Sequence, residues 1–318
     1  MEQAGREIVK GTDASRFLRR RQCPRAPRVG AGVVLGLILS LSLLAGGCTG
    51  QALQSTAWPG GPEHGRTILT EHYAIHTTIE DGPFITALAE TMERSHAIYS
   101  ELAPLPDPPR RLDAYVYAYR DEWADYTEAT AGALAPVYLQ IHRGGYAHGE
   151  VFATFYHGHP QTLAVCRHEG WHQYVASGFE RRLPPFLEEG IATLFEAGFE
   201  GNGISRPQPN GTRQLRLSEA VRRRRAWPLR TLLGMHAGDV IGSDGPQIDT
   251  FYAQAWALAR FLVEDEDYRD GFRRMLTAYA DGSVGRCGPV AALEHYLDAP
   301  FERIEHDYQL YVRDLAGL

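Results

Sequence analysis

The sequence predicts an α+β protein in which a mixed sheet-and-helix half is followed by a mainly helical half. Two patterns support this. Alternating, β-branched segments are confined to the stretch before about residue 160, and helical periodicity dominates after about residue 215. No internal repeat is visible. With 44 % hydrophobic and 22 % charged residues, the 318-residue chain has an ordinary globular composition.

The first 47 residues stand apart from that fold. They carry eight arginines and lysines, including Arg19–Arg21, then the apolar run VVLGLILSLSLLA (33–45) and Gly46-Gly47-Cys48. Thirteen apolar residues are too few to span a bilayer but suit the hydrophobic region of a secretory leader. Small residues directly before Cys48 make the segment resemble the lipobox of bacterial lipoproteins. That resemblance implies a diacylglycerol on Cys48, removal of residues 1–47, and a protein anchored to a membrane of the bacterial cell envelope, facing the periplasm or exterior. An ordinary cleaved leader is the other reading, and both place the mature chain outside the cytoplasm.

Without the leader, 24 basic residues face 36 acidic ones, a net charge of −12. A chain that acidic is a poor partner for nucleic acid or, by its net charge, for an anionic membrane. Lys10 is the only lysine, so the mature protein has none for Schiff-base chemistry or a phosphate-binding P-loop. Cys166 and Cys287 are the two cysteines left in the fold, and a packed thiol is favoured at Cys166 over a bridge between them.

Residues 48–66, rich in Gly and Pro, read as a flexible tether. HYAIHTTI (72–79) and RLDAYVYAY (111–119) alternate as strands do, and ITALAETMERSHAIYSEL (85–102) has helical spacing. Segments 138–144 and 150–158 read as two further strands, and the second is expected to offer an edge to an extended peptide. Helices follow at about 160–177 and 185–198. Beyond the Gly/Pro/Asn-rich loop at 199–216 come LSEAVRRRR, TFYAQAWALARFLVED, RDGFRRMLTAYADG and FERIEHDYQLYVRDL, all helical in period. This division gives an α/β subdomain at 67–215 and a helical one at 216–318. The run Arg222–Arg225 reads as a solvated helix face, with phospholipid headgroups as the alternative.

Chemistry concentrates in CRHEGWHQY (166–174). On a helix, His168 and His172 lie one turn apart on one face, so both can hold one ion while Glu169 acts beside them. This is the HExxH pattern of zinc hydrolases. Gly170 within it suggests a close approach by another backbone. The stretch LPPFLEEGIATLFE begins eleven residues after His172. Its core, Phe186-Leu187-Glu188-Glu189-Gly190-Ile191-Ala192, resembles the second zinc helix of gluzincin metallopeptidases, with phenylalanine where tryptophan is usual.

From about residue 68 to 265 the chain resembles the peptidase MA-like metallopeptidase domains of bacterial lipoproteins. The resemblance implies a zincin-like fold, Zn²⁺ as cofactor, Glu189 as third ligand with Glu188 turned about 100° away, and a peptide or protein substrate. It implies Glu169 as general base. Tyr252 and His236 are candidates for stabilising the oxyanion, and Glu196 for accepting a hydrogen bond from a ligand imidazole. The HExxHxxGxxH alternative fails, because Val175 and Gly178 occupy its glycine and third-histidine positions. The competing functional class is a non-catalytic lipoprotein that uses the same fold as a binding module. His157 and His159 read as turn or cleft-rim residues rather than ligands.

Overall fold

The computed structural model describes residues 53–199, 207–235 and 245–318. The leader, Cys48 and His236 therefore lie outside the described residues. The architecture is mixed α+β, with one six-stranded sheet of order β1-β2-β3-β4-β6-β5. The strands are β1 (Gln54–Ala57), β2 (Arg66–Leu69), β3 (Tyr73–Thr77), β4 (Leu112–Tyr117), β5 (Gly145–His148) and β6 (Val151–Phe155). β3, β4 and β6 run parallel at the centre, and β2 and β5 pair antiparallel beside them.

Alternation along the strands supplies both faces of the sheet. Tyr73, Ile75, Leu112, Ala114, Val116 and Phe152 pack on helix α1 (Gly82–Leu102) through Phe84, Leu88 and Met92. Asp81 caps α1, its side chain accepting from Phe84 N at 3.1 Å. The opposite face carries Tyr117, Ala153 and Phe155, covered by Trp123 of helix α2 (Arg120–Thr130).

After β6, Gly158 turns the chain at φ 97° into α4 (His159–Gly178), and α5 (Pro185–Ala197) follows. The connection between them is pinned to the end of a later helix, Glu180 N donating to Ala280 O at 3.0 Å and Arg181 N to Tyr279 O at 3.1 Å. Among the described residues, the helices that follow are α6 (Gly211–Arg222), α7 (Leu229–Leu232), α8 (Gly245–Glu264), α9 (Arg269–Ala280), α10 (Pro289–Tyr296) and α11 (Phe301–Leu315). One continuous core joins Ile98 and Tyr99 of α1, Trp171 of α4, Phe195 of α5 and Trp256 of α8 to residues of α9 and α11. α5 lies so close on α8 that a Cβ on Gly190 would sit 2.4 Å from Ala255 O. Among the described residues no helix is long and apolar enough to cross a membrane.

Several expectations change. Residues 54–57, read as tether, form β1. The Gly/Pro-rich stretch after them is the turn of a hairpin closed around Trp58, whose N–H donates to Gly65 O at 3.3 Å. The predicted strand at 138–144 is instead the end of the short helix α3 (Ala135–Tyr138) and a turn. Arg120 holds the Leu139 carbonyl of that turn at 2.7 Å, and the strand starts only after Gly144 reverses the chain at φ 126°. The edge strand is accordingly β5, because β6 is covered on both sides. Helix α2 escapes the periodicity reading because only Trp123 and Thr127 of its eleven residues are buried. The predicted subdomain boundary at 215 falls inside α6, and the helical half shares its core with α1, α4 and α5.

Candidate metal centre

α4 forms the floor of an open cleft of about 1550 Å³. One wall is the segment carrying Tyr138, Gly145 and Tyr146, and the other is built from α5, α6 and α8. His168 and His172 project from α4 one turn apart, and Glu189 reaches them from α5. The two Nε2 atoms are 3.3 Å apart, and Glu189 Oε2 lies 3.5 Å from His168 Nε2 and 3.6 Å from His172 Nε2.

That triangle suits a small ion. Four-coordinate zinc holds its ligand atoms at about 2.0–2.2 Å, which sets neighbouring ligand atoms roughly 3.3–3.6 Å apart. Glu189 Oε2 is moreover buried and makes no hydrogen bond, so an ion would satisfy it. Glu71, His72 and Glu93 also bring ligand atoms together. There, however, the His72 Nδ1–Glu93 Oε2 contact is already closed at 2.6 Å, and Glu93 Oε1 accepts from His72 N at 2.8 Å.

Each of these two histidines is backed by a carboxylate from α5. His168 Nδ1 lies 3.2 Å from Glu196 Oε1, a close ion-pair contact whose geometry is not that of a hydrogen bond. Glu188 was expected to point away; it leaves the metal position but meets the other nitrogen of His172, with Nδ1 3.0 Å from Glu188 Oε1. Helical rotation separates Glu188 from Glu189 by about 100°, and the imidazole, with a nitrogen on each side, bridges that gap.

Glu196 is itself held by two residues that the sequence reading did not single out for the site. Arg213 of α6 donates to it from Nη2 at 2.7 Å and from Nε at 3.2 Å, and Asn210 donates from Nδ2 at 3.0 Å. Asn210 also caps α6, accepting from Arg213 N at 3.2 Å, so the same turn that starts the helix delivers both groups. The sequence reading places Asn210 inside a loop reaching residue 216, whereas α6 begins at Gly211, directly after this cap residue.

The charges form a coupled set. Burial alone would raise Glu196, but the His168 contact and the Arg213 charge outweigh it and hold the carboxyl at about 2. Burial would lower His168, yet its contacts with Glu189 and Glu196 bring it to about 9. His172 is also raised, the Glu189 charge and the Glu188 hydrogen bond overcoming its burial. Glu169, only 8 % exposed, is raised chiefly by burial. Gly145 of the edge strand packs directly on it: a Cβ there would stand 3.1 Å from Glu169 Cγ.

Tyr252 of α8 lines the cleft beside these carboxylates. The Glu189 charge, and then burial, hold its hydroxyl well above the ordinary tyrosine range, and the Arg213 guanidinium sits 5.1 Å from its ring centroid. His236, the other oxyanion candidate, lies outside the described residues. His157 lines the rim with Nε2 3.0 Å from Gly144 O, and His159 packs edge-on against Phe84. Cys166 is a buried free thiol, so no Cys166–Cys287 bridge forms. At Gly170 the close neighbour is a side chain rather than backbone: a Cβ would fall 2.9 Å from Tyr99 Oη.

No family model matches this chain, and no curated protein matches it. The site's chemistry therefore rests on its own geometry.

Proposed function

We propose that this chain is a zinc-dependent hydrolase of gluzincin type that cleaves peptide bonds. The observation that carries the reading is the triangle of His168 Nε2, His172 Nε2 and Glu189 Oε2, with the buried carboxyl of Glu169 beside it in an open cleft. When bound there, zinc would supply a Lewis acid that polarises the scissile carbonyl and brings water near neutrality.

The protein groups supply the rest. Glu169 takes a proton from the attacking water and returns it to the leaving amine, a role that its burial favours by raising its proton affinity. Tyr252, which lines the cleft with Glu169 and Glu189, donates a hydrogen bond to the developing oxyanion. Glu188 and Glu196 orient the two imidazoles. The cleft extends past the centre toward both ends of α4, with Gln161 and Ala164 on one side and Ala176 and Phe179 on the other. An extended polypeptide fits such a trough.

The leader sequence supports an envelope location with a lipid on Cys48, as part of the same proposal. The test is the metal content of the purified protein by elemental mass spectrometry, followed by digestion of an unstructured protein. About one zinc per chain, lost in His172→Ala, with cleavage abolished in Glu169→Gln, is the expected result. Zinc without cleavage would favour the non-catalytic binding module, and a wild-type protein without zinc would sink the metal centre.

A further inference from the structure

A second feature lies at the far end of α6. Its first arginines are neutralised: Arg213 by Glu196, and Arg216 by Glu219 at 3.0 Å and Asp249 at 3.2 Å. The next four, Arg222 to Arg225, are all exposed. Among the described residues none of their side chains forms an ion pair or hydrogen bond, in a chain whose residues after the leader number 36 acidic against 24 basic.

Helix-end electrostatics explain part of this, since cations are favoured near a C-terminus. They do not explain Arg224. This residue stands at φ 55°, in the left-handed position that closes the helix, with Arg225 N donating to Ala220 O at 2.8 Å and Arg224 N to Val221 O at 3.0 Å. Glycine or asparagine is the usual occupant, because a side chain there is strained. A fourth arginine at a position that disfavours it adds charge at the expense of stability. The patch is also rigidly presented. Two residues beyond it, Trp227 N donates to Gln254 Oε1 at 2.8 Å and Trp227 O accepts from Gln254 Nε2 at 2.9 Å, tying the segment to α8.

We propose that Arg222–Arg225 form a docking surface for anionic phospholipid headgroups. The guanidiniums would pair with lipid phosphates and hold this face of the protein against the membrane. Arginine forks match phosphate oxygens bidentately, and clustered basic residues gain affinity from an anionic surface additively. The inference stands apart from the peptidase reading, because none of these four residues lines the cleft. It is compatible with a lipid on Cys48 but does not require one.

The test compares full-length protein on vesicles of pure phosphatidylcholine and of equal parts phosphatidylcholine and phosphatidylglycerol, by flotation. Variants are the fourfold Arg→Gln replacement at 222–225 and the double charge reversal Arg223→Glu with Arg225→Glu, which leaves the strained Arg224 in place. The basic leader is common to all three proteins, so only their difference reports on the patch. Each variant is expected to lose at least about tenfold in partition to the anionic vesicles, with no change on the neutral ones, and the difference should collapse at high salt. Equal partition of wild type and both variants into the anionic vesicles would overturn the proposal and leave the run as a solvated helix end.

Discussion

His172 Nδ1 donates a hydrogen bond to Glu188 Oε1 at 3.0 Å. Because a carboxylate can only accept, the contact holds a proton on Nδ1, so that under the proposed function Nε2 is the nitrogen that would give its lone pair to an ion beside Glu189. A residue one step away from Glu189 on the same helix thus orients the imidazole of His172. Glu188→Gln is expected to retain the fold while weakening zinc affinity by about 10- to 100-fold, as losing the outer partner of a metal histidine does elsewhere. Competition against a chromophoric chelator measures this directly. An unchanged affinity would reduce Glu188 to a surface contact.

Tyr252 and Glu169 should separate by kinetics. On the proposed mechanism, Tyr252→Phe would remove one donor to the oxyanion and nothing from the metal. The expected outcome is a kcat about 100- to 1000-fold lower with KM and zinc content preserved. Loss of zinc in that variant would mean that the ring supports the site's structure instead.

Gly190 tests the packing that holds Glu189 in place. A Cβ would stand 2.4 Å from the Ala255 carbonyl oxygen, a backbone atom that cannot swing aside. Gly190→Ala should therefore cost about 1–3 kcal/mol in stability despite its gain in helix propensity, and should weaken zinc binding by pushing α5 off α8. A calorimetric Tm unchanged from wild type would contradict this close approach.

His96 predicts a pH dependence. It is buried under His72, with ring centroids 3.8 Å apart, while Tyr73 and Tyr174 meet it edge-on. Burial first, and then the charge of His72, depress it from 6.5 to about 4, against the opposing pull of Glu93 and Asp107. The unfolded chain thus binds a proton that the native state refuses between about pH 6.5 and 4. Stability contributed by neutral His96 is complete above about pH 6.5 and is lost as pH falls toward 4. Denaturant titrations at pH 7 and pH 5 should show a smaller loss in His96→Gln than in wild type. Parallel losses in the two proteins would refute the assignment.

What the sequence determined by itself was local. The i, i+4 spacing of His168 and His172 requires only that the segment be helical, and Gly-Pro punctuation with apolar periodicity was enough to establish that. Proline at the start of α5 and the Glu-Glu-Gly-x-Ala run likewise placed Glu189 on a second helix. Strands β3 and β4 were legible because one face is more deeply buried than the other, which demands alternation, and β6 because its residues are largely β-branched and aromatic. Segments whose pairing depends on distant partners were not. β1 exists because β2 hydrogen-bonds to it, and β5 rather than β6 forms the edge because Gly144 turns the chain beside its neighbour. The tertiary structure alone decided that Glu188 would find His172, that Arg213 and Asn210 would converge on Glu196, and that Gly145 would press on Glu169. The partners in these contacts stand between 14 and 24 positions apart in the sequence. Their partners are chosen by how helices and strands pack, and no periodicity within one element encodes that choice.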